Sequence, residues 1–320
     1  MKYIEASQFG GPEVLHLVEA MTPEASEGTL LIETEAAGVN YLDTTMRAGF
    51  YGENPTAPLT PGLEVVGLVK SVGKGVTEFK EGDRVAAMTT GGGGYTSHIV
   101  VPAANAIPVP SQMDAGMATA LLVQGITAHL LLEEAKVKAG DFVLISAAAG
   151  GVGSLAMQIA KAKGATVLAL ASADKHDSVK ALGAQHVFDY NTPGWSKPVG
   201  DIVGSHGVQA YIDSIGDLAS EALPLLGHAA HWLIFGVRST QGNALGAEHL
   251  WPMIEKNITL RGFNLEGSFE HFPRALADLF QWVSDGTLKI DVTRYPLAEA
   301  RKVHEILEAR QTTGKIVLVP

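Results

Sequence analysis

The 320-residue chain contains no cysteine. This absence excludes disulfide bonds, thiol nucleophiles, iron–sulfur clusters and every zinc site built on thiolates. Basic residues are also few, because 23 Lys and Arg stand against 34 Asp and Glu and give a net charge of −11. Such an acidic balance repels nucleic-acid phosphates and anionic lipid, which argues against nucleic acid and membrane as partners. An anionic ligand must therefore bind where backbone amides and basic side chains are locally concentrated.

Long hydrophobic runs are missing as well. Residues 1–5 do not resemble the apolar region of a signal peptide. The most apolar stretch, residues 116–132, is interrupted by Gln124, Gly125 and His129 and falls short of the roughly 20 apolar residues that span a membrane. It predicts a buried core helix instead. Because the absence of cysteine fits a reducing compartment, we predict a soluble cytoplasmic protein.

The first 120 or so residues predict a β-rich domain. Residues 32–36 alternate with period two, as a half-buried strand does, and residues 65–70 and 84–88 form further short runs. Glycine and proline turns separate these strands, a pattern typical of a small barrel or sandwich. Four consecutive glycines at residues 91–94 predict a conformationally loose loop, because glycine has the largest backbone entropy to lose.

From about residue 120 the pattern changes to alternating strand and helix. A strand at residues 141–146 is followed by a glycine turn and a helix with Val152, Leu155 and Ile159 on one face. Further strands are predicted at residues 166–170, 187–190, 208–212, 231–235 and 259–260. The alternation predicts a doubly wound parallel sheet, so the fold class is α/β.

The end of the chain again differs. A helix over residues 297–307 leads to a final strand at residues 316–319. The simplest arrangement inserts a nucleotide-binding domain, residues 122–261, into a β-rich domain made of residues 1–121 and 262–320.

The turn after the strand at 141–146 carries the clearest chemical motif. Against the dinucleotide fingerprint G-x-G-x-x-G, its special positions are Ala148, Gly150 and Gly153. Such a turn lets the backbone approach a pyrophosphate, which the helix N-terminal amides then bind. A strand, an amphipathic helix and a second strand surround it in the required order. The residues assigned here to cofactor binding are Ala149, Gly150, Gly151, Val152 and Gly153.

The end of the second strand favours NADP over NAD. An NAD site usually has a carboxylate about 20 residues after the motif begins, where it binds the ribose hydroxyls. Here the strand ends at Ser172, and Lys175 follows, so a hydroxyl and a cation are available for a 2′-phosphate. Asp174 keeps NAD open, because a small shift in register would bring it to the ribose. Ser214 is a further cofactor candidate, since it follows the strand at 208–212 at the carboxyl end, where such sheets bind ligands.

Several motifs, taken in order along the chain, resemble one family. They lie at residues 36–44, 47–51, 61–67, 82–85, 124–128, 148–153, 213–216, 235–236 and 314–318. Together they are similar to the zinc-free quinone oxidoreductases of the zeta-crystallin type, within the medium-chain dehydrogenase/reductase superfamily. The resemblance covers essentially the whole chain, which makes it more specific than any single motif.

This resemblance implies a GroES-like β-barrel domain, a Rossmann domain, NADPH held in a cleft between them, and a homodimer. It implies that the adenosine 2′-phosphate is surrounded by Lys175, Tyr190 and Arg310. It also implies that the nicotinamide lies near Asn40, Thr127, Phe235 and Gly236.

The resemblance further implies that no zinc is bound. Zinc-dependent relatives have a cysteine in the first active-site segment and a histidine before the glutamate of a Gly-x-Glu motif. The corresponding positions here fall within residues 40–42, Asn-Tyr-Leu, and at Leu63, and none of these side chains is a zinc ligand of that kind. The 11 histidines include no His-Glu-x-x-His motif, so we predict no metal site.

The lack of zinc restricts the chemistry. Without a Lewis acid to polarise a carbonyl, the favoured acceptors are quinones or similar conjugated carbonyl compounds, which delocalise the charge that a hydride brings. The candidate oxyanion donors or proton sources are Asn40, Tyr51 and Thr127. Many relatives carry a tyrosine where this chain has Thr45, which leaves the substrate class and the proton donor open.

Two alternatives remain beside an NADPH-dependent quinone reductase. The same hydride geometry would serve an enoyl or alkenal double-bond reductase. A different class is a non-catalytic NADPH-binding protein, either crystallin-like or RNA-binding, although the net charge of −11 argues against RNA.

Overall fold

The structure is a computed structural model that describes residues 1–52, 54–89, 91–217, 221–237 and 246–320. Within these residues the strands are β1 (Lys2–Ala6), β2 (Leu15–Glu19), β3 (Thr29–Val39), β4 (Glu64–Val72), β5 (Arg84–Met88), β6 (His98–Pro102), β7 (Ala106–Pro108), β8 (Phe142–Ile145), β9 (Thr166–Leu170), β10 (His186–Phe188), β11 (Val208–Asp213), β12 (Leu226–Ile234), β13 (Thr259–Gly262), β14 (Val292–Pro296) and β15 (Lys315–Val319). The α-helices are α1 (Tyr41–Arg47), α2 (Ala115–Ala120), α3 (Ile126–Glu134), α4 (Gly151–Ala162), α5 (His176–Ala181), α6 (Ser196–Val203), α7 (Ala247–Glu255), α8 (Phe272–Ser284) and α9 (Ala300–Glu308).

The chain divides into two compact units. The first unit comprises residues 1–123 and 290–320, and the second comprises residues 124–289. Residues 262–289, which the sequence pattern assigns to the β-rich domain, belong to the second unit. The reason is that α8 packs on α3: the Trp282 ring stacks on the His129 ring with centroids 5.4 Å apart, and His129 Nε2 lies 3.1 Å from Asp278 Oδ2. Sequence periodicity gave no sign of this contact.

The first unit is built on β-sheet. A seven-stranded sheet has the order β14-β15-β3-β4-β5-β7, with β6 also paired to β3, and β1 and β2 form a separate antiparallel pair. The pair β14–β15 is parallel and the remaining pairs of the large sheet are antiparallel. Its core includes Leu30, Ile32, Val65 and Ile316, each at most 4% exposed. The strands predicted at residues 32–36, 65–70, 84–88 and 316–319 are confirmed.

The four-glycine run in this unit is held more firmly than the sequence suggests. Gly93 N–H donates to the Thr60 carbonyl at 2.7 Å, and Gly94 N–H donates to the Gly62 carbonyl at 3.0 Å. A Cβ on Gly92 would lie 2.5 Å from the Thr60 carbonyl oxygen, and one on Gly94 would lie 2.8 Å from Gly62 C. The expected loose loop is therefore wrong for these glycines. Gly92 and Gly94 are needed because the backbone of residues 60–62 passes too close for a side chain there.

The second unit contains a six-stranded parallel sheet with the order β10-β9-β8-β11-β12-β13. Numbered from β8, this is the order 3-2-1-4-5-6 of the doubly wound fold. Leu144, Leu168, Tyr211 and Trp232, each at most 3% exposed, belong to its core. The prediction of a doubly wound α/β domain is thus confirmed. The sheet reverses direction of winding between β8 and β11, which is the position where such folds bind ligands.

The apolar stretch at residues 116–132 is helical, as predicted. α2 continues through a π-helical segment, Leu121–Gly125, into α3. By length and composition alone Ala115–Glu134 could cross a membrane, but 83% of its most apolar window is buried inside the protein. That degree of burial is typical of a core helix.

A buried polar network fixes α1 within the first unit. The Arg47 guanidinium, which can only donate, points Nη1 at His304 Nδ1 over 3.2 Å. His304 is therefore neutral with its proton on Nε2, which lies 3.1 Å from the Tyr95 hydroxyl. Tyr95 in turn donates to Asp43 Oδ2 at 2.8 Å, and Asn40 N–H donates to the same oxygen at 2.8 Å.

Two members of this network have shifted pKa values. Burial raises the pKa of Asp43 to about 7, against the lowering effect of the hydrogen bonds from Asn40 N–H and Tyr95. Burial, and secondarily the Arg47 charge, lowers the pKa of His304 to about 3. The folded network therefore prefers a protonated Asp43 and an unprotonated His304 at mildly acidic pH.

The two shifts act on stability with opposite signs. Asp43 contributes stability that is present below its unfolded pKa of about 3.9 and lost as the pH rises through about 7. His304 contributes stability that is present above its unfolded pKa of about 6.5 and lost as the pH falls toward about 3. Between these limits the contributions of the two groups to the pH dependence largely cancel.

We predict that removing either group reveals the pH dependence that the other group gives to the free energy of unfolding. In Asp43→Asn, the free energy of unfolding relative to the parent should fall by about 1.4 kcal/mol for each pH unit of acidification between about pH 6 and 4.5. In His304→Gln, it should rise by a similar amount over the same range. Urea unfolding followed by far-UV circular dichroism at several pH values measures both slopes. Equal slopes in the two variants and the parent would contradict the assignment.

Candidate active site

Two serines lie at the carboxyl ends of β8 and β11, where the winding of the parallel sheet reverses. Ser146 follows β8 and Ser214 follows β11, and their hydroxyl oxygens are 3.1 Å apart. Ser214 N–H donates to Ser146 Oγ at 2.8 Å. The carboxyl ends of the two central strands are therefore linked, and Ser214, a predicted cofactor residue, lies at the ligand-binding edge of the sheet.

The glycine turn after β8 is tight and packs closely against the start of α4. Ala147 has φ 46°, a left-handed conformation that is costly for a residue with a Cβ. A Cβ on Gly153 would overlap the Ala147 carbonyl oxygen, so the close packing of turn and helix requires glycine there. A Cβ added to Gly150 would lie 3.2 Å from the Ala147 carbonyl oxygen, which is also a tight contact. Gly150 is the N-cap of α4, whose first amides point out of the helix and suit a pyrophosphate.

Gly151 has a different reason to be glycine. An added Cβ would overlap the side-chain amide of Gln124, which is 8% exposed and lies in the π-helical segment before α3. The glycine therefore admits a glutamine side chain beside the first turn of α4. In the sequence Gln124 stands out only as an interruption of the apolar stretch and as part of a motif, with no role of its own. The sequence did contain a signal for Gln124, because a polar residue within an apolar helix must find a hydrogen-bond partner when it is buried.

The residues predicted to bind the adenosine end of the cofactor follow the neighbouring strands β9 and β10. Ser172 and Lys175 follow β9, and Tyr190 follows β10 after one intervening residue. Because β9 and β10 are parallel neighbours, with Leu170 opposite Phe188, these segments emerge at the same edge of the sheet. Ser172 and Tyr190 are partly buried, and so is Lys175.

Asp174, the alternative ribose ligand, belongs to the same turn. It lies in the 3₁₀ helix Ala173–Lys175 and is exposed. A hydrogen bond from the Ser172 hydroxyl holds the pKa of its carboxyl below the ordinary value. Arg310, the third residue predicted around the 2′-phosphate, is in the first unit, where it follows α9 with φ 60°.

Two of the predicted nicotinamide residues, Phe235 and Gly236, pack against the end of β11 and the residue after it. Phe235 N–H donates to the Asp213 carbonyl at 2.9 Å, so the segment after β12 runs beside the end of β11. A Cβ on Gly236 would lie 2.5 Å from the Ser214 carbonyl oxygen, so glycine is required for this approach. Thr127, one of the catalytic candidates, is 6% exposed in α3 of the same unit.

The other catalytic candidates belong to the first unit. Asn40 is the N-cap of α1 and 7% exposed, and Tyr51 is partly buried a few residues after the same helix. Thr45, at the position where many relatives carry a tyrosine, is partly buried on α1. Their placement at one helix agrees with the motif order in the sequence, while their roles stay predictions.

Asn40 is held by a buried ion pair. Its Nδ2 donates to Glu64 Oε1 at 2.8 Å, and Lys315 Nζ donates to its Oδ1 at 3.4 Å. Lys315 also pairs directly with Glu64, and the side chains of the two are 1% and 0% exposed. Val123 N–H donates to the second carboxylate oxygen at 2.7 Å. Because both ends of the Asn40 amide are engaged, its orientation is fixed.

Glu64 and Lys315 are functional candidates that the sequence analysis missed. Both stand in quoted motifs, at residues 61–67 and 314–318, but nothing local indicates that residues 251 positions apart form a pair. A Cβ on Gly38 of β3 would overlap Glu64 Oε1, so the neighbouring strand is shaped around the same carboxylate.

The positions compared with zinc ligands do not fit a zinc ion. Leu63 has no donor atom, and the Asn40 amide is bonded to Glu64 and Lys315. The nearby carboxylate of Glu64 is neutralised by the Lys315 ammonium, a second cation that would repel a metal. Throughout the described residues, no group of three or more His, Asp or Glu side chains could hold a metal ion.

Comparison with known proteins agrees with this architecture. Residues 26–111 match the alcohol dehydrogenase GroES-like domain, and residues 151–282 match the zinc-binding dehydrogenase domain. The chain is 34% identical to the quinone oxidoreductase of Sus scrofa over all of its own length and 98% of the relative. The chain belongs to the quinone oxidoreductase family of the medium-chain dehydrogenase/reductase superfamily. The predicted combination of a GroES-like domain and a Rossmann domain is thereby confirmed.

Two solved structures of this superfamily are similar over the full length of both chains. The Escherichia coli quinone oxidoreductase complexed with NADPH has a TM-score of 0.93 at 33% identity. A mycobacterial protein complexed with NADPH has a TM-score of 0.91 at 34% identity.

The Glu64–Lys315 pair leads to a stability prediction for this family member. Lys315→Met would leave a buried carboxylate without its cation, which costs about 3–5 kcal/mol in the free energy of unfolding. The double variant Glu64→Gln/Lys315→Met removes both charges and keeps an acceptor for Val123 N–H. We expect it to recover most of that loss. Urea unfolding followed by far-UV circular dichroism measures both.

The matched control is Lys70→Met, because Lys70 pairs with Glu33 at 3.0 Å but both side chains are nearly half exposed. Its effect should stay within about 1 kcal/mol, as for other surface pairs. A double variant as unstable as Lys315→Met would show that the charge pair is not the cause.

Proposed function

We propose that this protein is an NADPH-dependent oxidoreductase that reduces quinones or similar conjugated carbonyl compounds. One observation carries the proposal. A glycine turn at the reversal point of the Rossmann sheet leads into α4 without a side-chain cap, and a hydroxyl, an ammonium and a phenol follow the adjacent strands β9 and β10. The solved structures of the two similar proteins named above, each complexed with NADPH, support the choice of cofactor. The full-length similarity to quinone oxidoreductases supports the substrate class.

The proposed cofactor contacts divide along the sheet edge. We assign the pyrophosphate to Ala149, Gly150, Gly151, Val152 and Gly153, where the amides of α4 and its macrodipole stabilise two negative charges. We assign the adenosine 2′-phosphate to Ser172, Lys175 and Tyr190, whose charge-assisted hydrogen bonds suit a dianion, with Arg310 as a further cation. We assign the nicotinamide half to Ser214, Phe235 and Gly236.

When bound, NADPH supplies a hydride from its nicotinamide ring. The remaining tasks belong to side chains of this protein: they orient the acceptor and donate hydrogen bonds to the oxygen that gains negative charge. We assign these tasks to Asn40, Tyr51 and Thr127. The fixed orientation of the Asn40 amide supports its role, because preorganised donors need no reorientation during the reaction. The Tyr51 hydroxyl is our candidate proton source, since Thr45 offers no phenol.

The proposed reaction does not use a metal. The amide and ammonium donors around Glu64 favour hydrogen-bond stabilisation over metal coordination, and acceptors that delocalise charge by conjugation need no stronger help. A homodimeric state and a cytoplasmic location stay predictions from the sequence and the family resemblance.

The function is tested with a panel of acceptors and the loss of NADPH absorbance. We expect simple quinones to be reduced in the presence of NADPH, and added chelator to leave the rate unchanged. Reduction of 2-alkenals without quinones would instead indicate a double-bond reductase. Tight NADPH binding with no acceptor reduced would indicate a non-catalytic protein. The first result would contradict quinones as the acceptors, and the second would contradict an enzymatic function.

The cofactor assignment is tested by a charge deletion. Lys175→Ala should raise the dissociation constant of NADPH by about tenfold, because a charge-assisted hydrogen bond to phosphate is lost, and should barely change that of NADH. Calorimetric titration measures both constants. Arg310→Ala, measured separately, tests the contribution of that cation.

Lys180→Ala is the matched control, because Lys180 is an exposed lysine in the last turn of α5. It should leave both dissociation constants unchanged. An equal weakening of NADPH and NADH in Lys175→Ala would remove Lys175 from the 2′-phosphate site.

A further inference from the structure

Asp213 is a buried carboxylate at the reversal point of the parallel sheet. It is the last residue of β11, lies between β8 and β12 in the sheet order, and is 0% exposed. A carboxylate in such a place must have its charge compensated by donors. The proposed cofactor contacts do not include its side chain.

Four donors surround this carboxylate. Oδ1 accepts from Ile215 N–H at 2.8 Å, from Gly216 N–H at 3.2 Å and from Ser146 Oγ at 3.3 Å. Oδ2 accepts from the Trp232 indole N–H at 3.1 Å. Burial raises the pKa of Asp213, while these hydrogen bonds lower it. Because amide and indole N–H groups can only donate, the network accommodates the ionised form.

The same contacts determine the shape of the segment after β11. The two amides bonded to Oδ1 belong to residues 215 and 216, so the chain turns around the carboxylate. Ser146 fixes residue 214, since its hydroxyl accepts from Ser214 N–H at 2.8 Å. Residues 214–216 are therefore held at each position by Asp213 or by its partner Ser146.

This segment then fixes the one after β12. Gly216 has φ 69°, and a Cβ there would lie 2.9 Å from the Gly236 carbonyl oxygen. A Cβ on Gly236 would lie 2.5 Å from the Ser214 carbonyl oxygen. At these two positions the segments pack backbone against backbone. A shift in residues 214–216 must displace Phe235 and Gly236 as well.

We propose that Asp213 is a positioning residue that shapes residues 214–216 and 235–236 to receive the nicotinamide half of the cofactor. The inference rests on the proposed function, since it requires NADPH to bind at this sheet edge. Asp213 does not contact the cofactor in this proposal. It acts through the two backbone segments that it holds in place.

Asp213→Asn tests the proposal with little change of volume. The variant replaces one acceptor oxygen by a donor NH₂ group, which must then face either the Trp232 indole N–H or the amides of residues 215 and 216. One side of the network is broken in either orientation. Asp201→Asn is the matched control, because Asp201 is an exposed aspartate in α6 of the same unit.

The readout is calorimetric binding of two ligands without any acceptor present. One is NADPH, and the other is adenosine 2′,5′-bisphosphate, which has the 2′-phosphate half but no nicotinamide. In Asp213→Asn we expect the dissociation constant of NADPH to rise by about tenfold and that of the bisphosphate to stay unchanged. A general loss of structure in the second unit would weaken both ligands together.

A second variant keeps the test valid if Asp213→Asn folds poorly. Ser146→Ala removes the hydroxyl that links Ser214 to Asp213, and we expect a smaller rise for NADPH, about threefold, again with no change for the bisphosphate. All four tryptophans lie between residues 195 and 282, so intrinsic fluorescence reports whether the second unit is folded in each variant.

The possible outcomes separate this inference from the proposed function. Unchanged NADPH binding in both variants, or equal weakening of both ligands in folded protein, overturns the role of Asp213 alone. A parent protein that binds neither ligand overturns the proposed function, and the inference with it.

Discussion

The parallel pairing of the second unit is the constraint on which the rest of the candidate site depends. Because all six strands run in the same direction, their carboxyl ends share one edge, and the order β10-β9-β8-β11-β12-β13 brings β8 and β11 together where the winding reverses. The glycine turn, the segment after β9 and the cluster around Asp213 are consecutive features of that edge. None of them would be adjacent in an antiparallel sheet, where successive strands end on opposite sides.

In the first unit the main constraint is different: its buried polar groups need partners inside the protein. Glu64 and Lys315 neutralise each other, and the carboxylate also accepts from Asn40 and from Val123 N–H, so one buried anion connects β4, β15, the start of α1 and the π-helical segment. The second network, from Arg47 to Asp43, immobilises α1 from its other side. Asn40 and the helix that it caps are thus fixed by a charge pair and hydrogen bonds, which need no metal ion.

The parts of the fold that could be predicted from sequence are those with a local pattern. Alternation marked the strands at residues 84–88 and 166–170, whose bounds agree with β5 and β9, and helical spacing marked α4. The glycine turn could be predicted because its glycine spacing is typical of a turn that lets the backbone approach a pyrophosphate. By contrast, the assignment of residues 262–289 and the loose loop at residues 91–94 did not match the structure. The first depends on α8 packing on α3, and the second depends on a neighbouring backbone at residues 60–62.

By itself, the sequence determined the two-part organisation, the Rossmann turn, the residues that follow β9 and β10, and the absence of thiolate chemistry, because composition and short-range spacing carry that information. Only the tertiary structure decided why particular residues are there. It paired Glu64 with Lys315, placed the Gln124 amide over Gly151, and surrounded Asp213 with four donors. These contacts join residues that are far apart in the chain, and a buried polar group is compensated by whichever partner the fold brings to it, so no local pattern records the partner's identity.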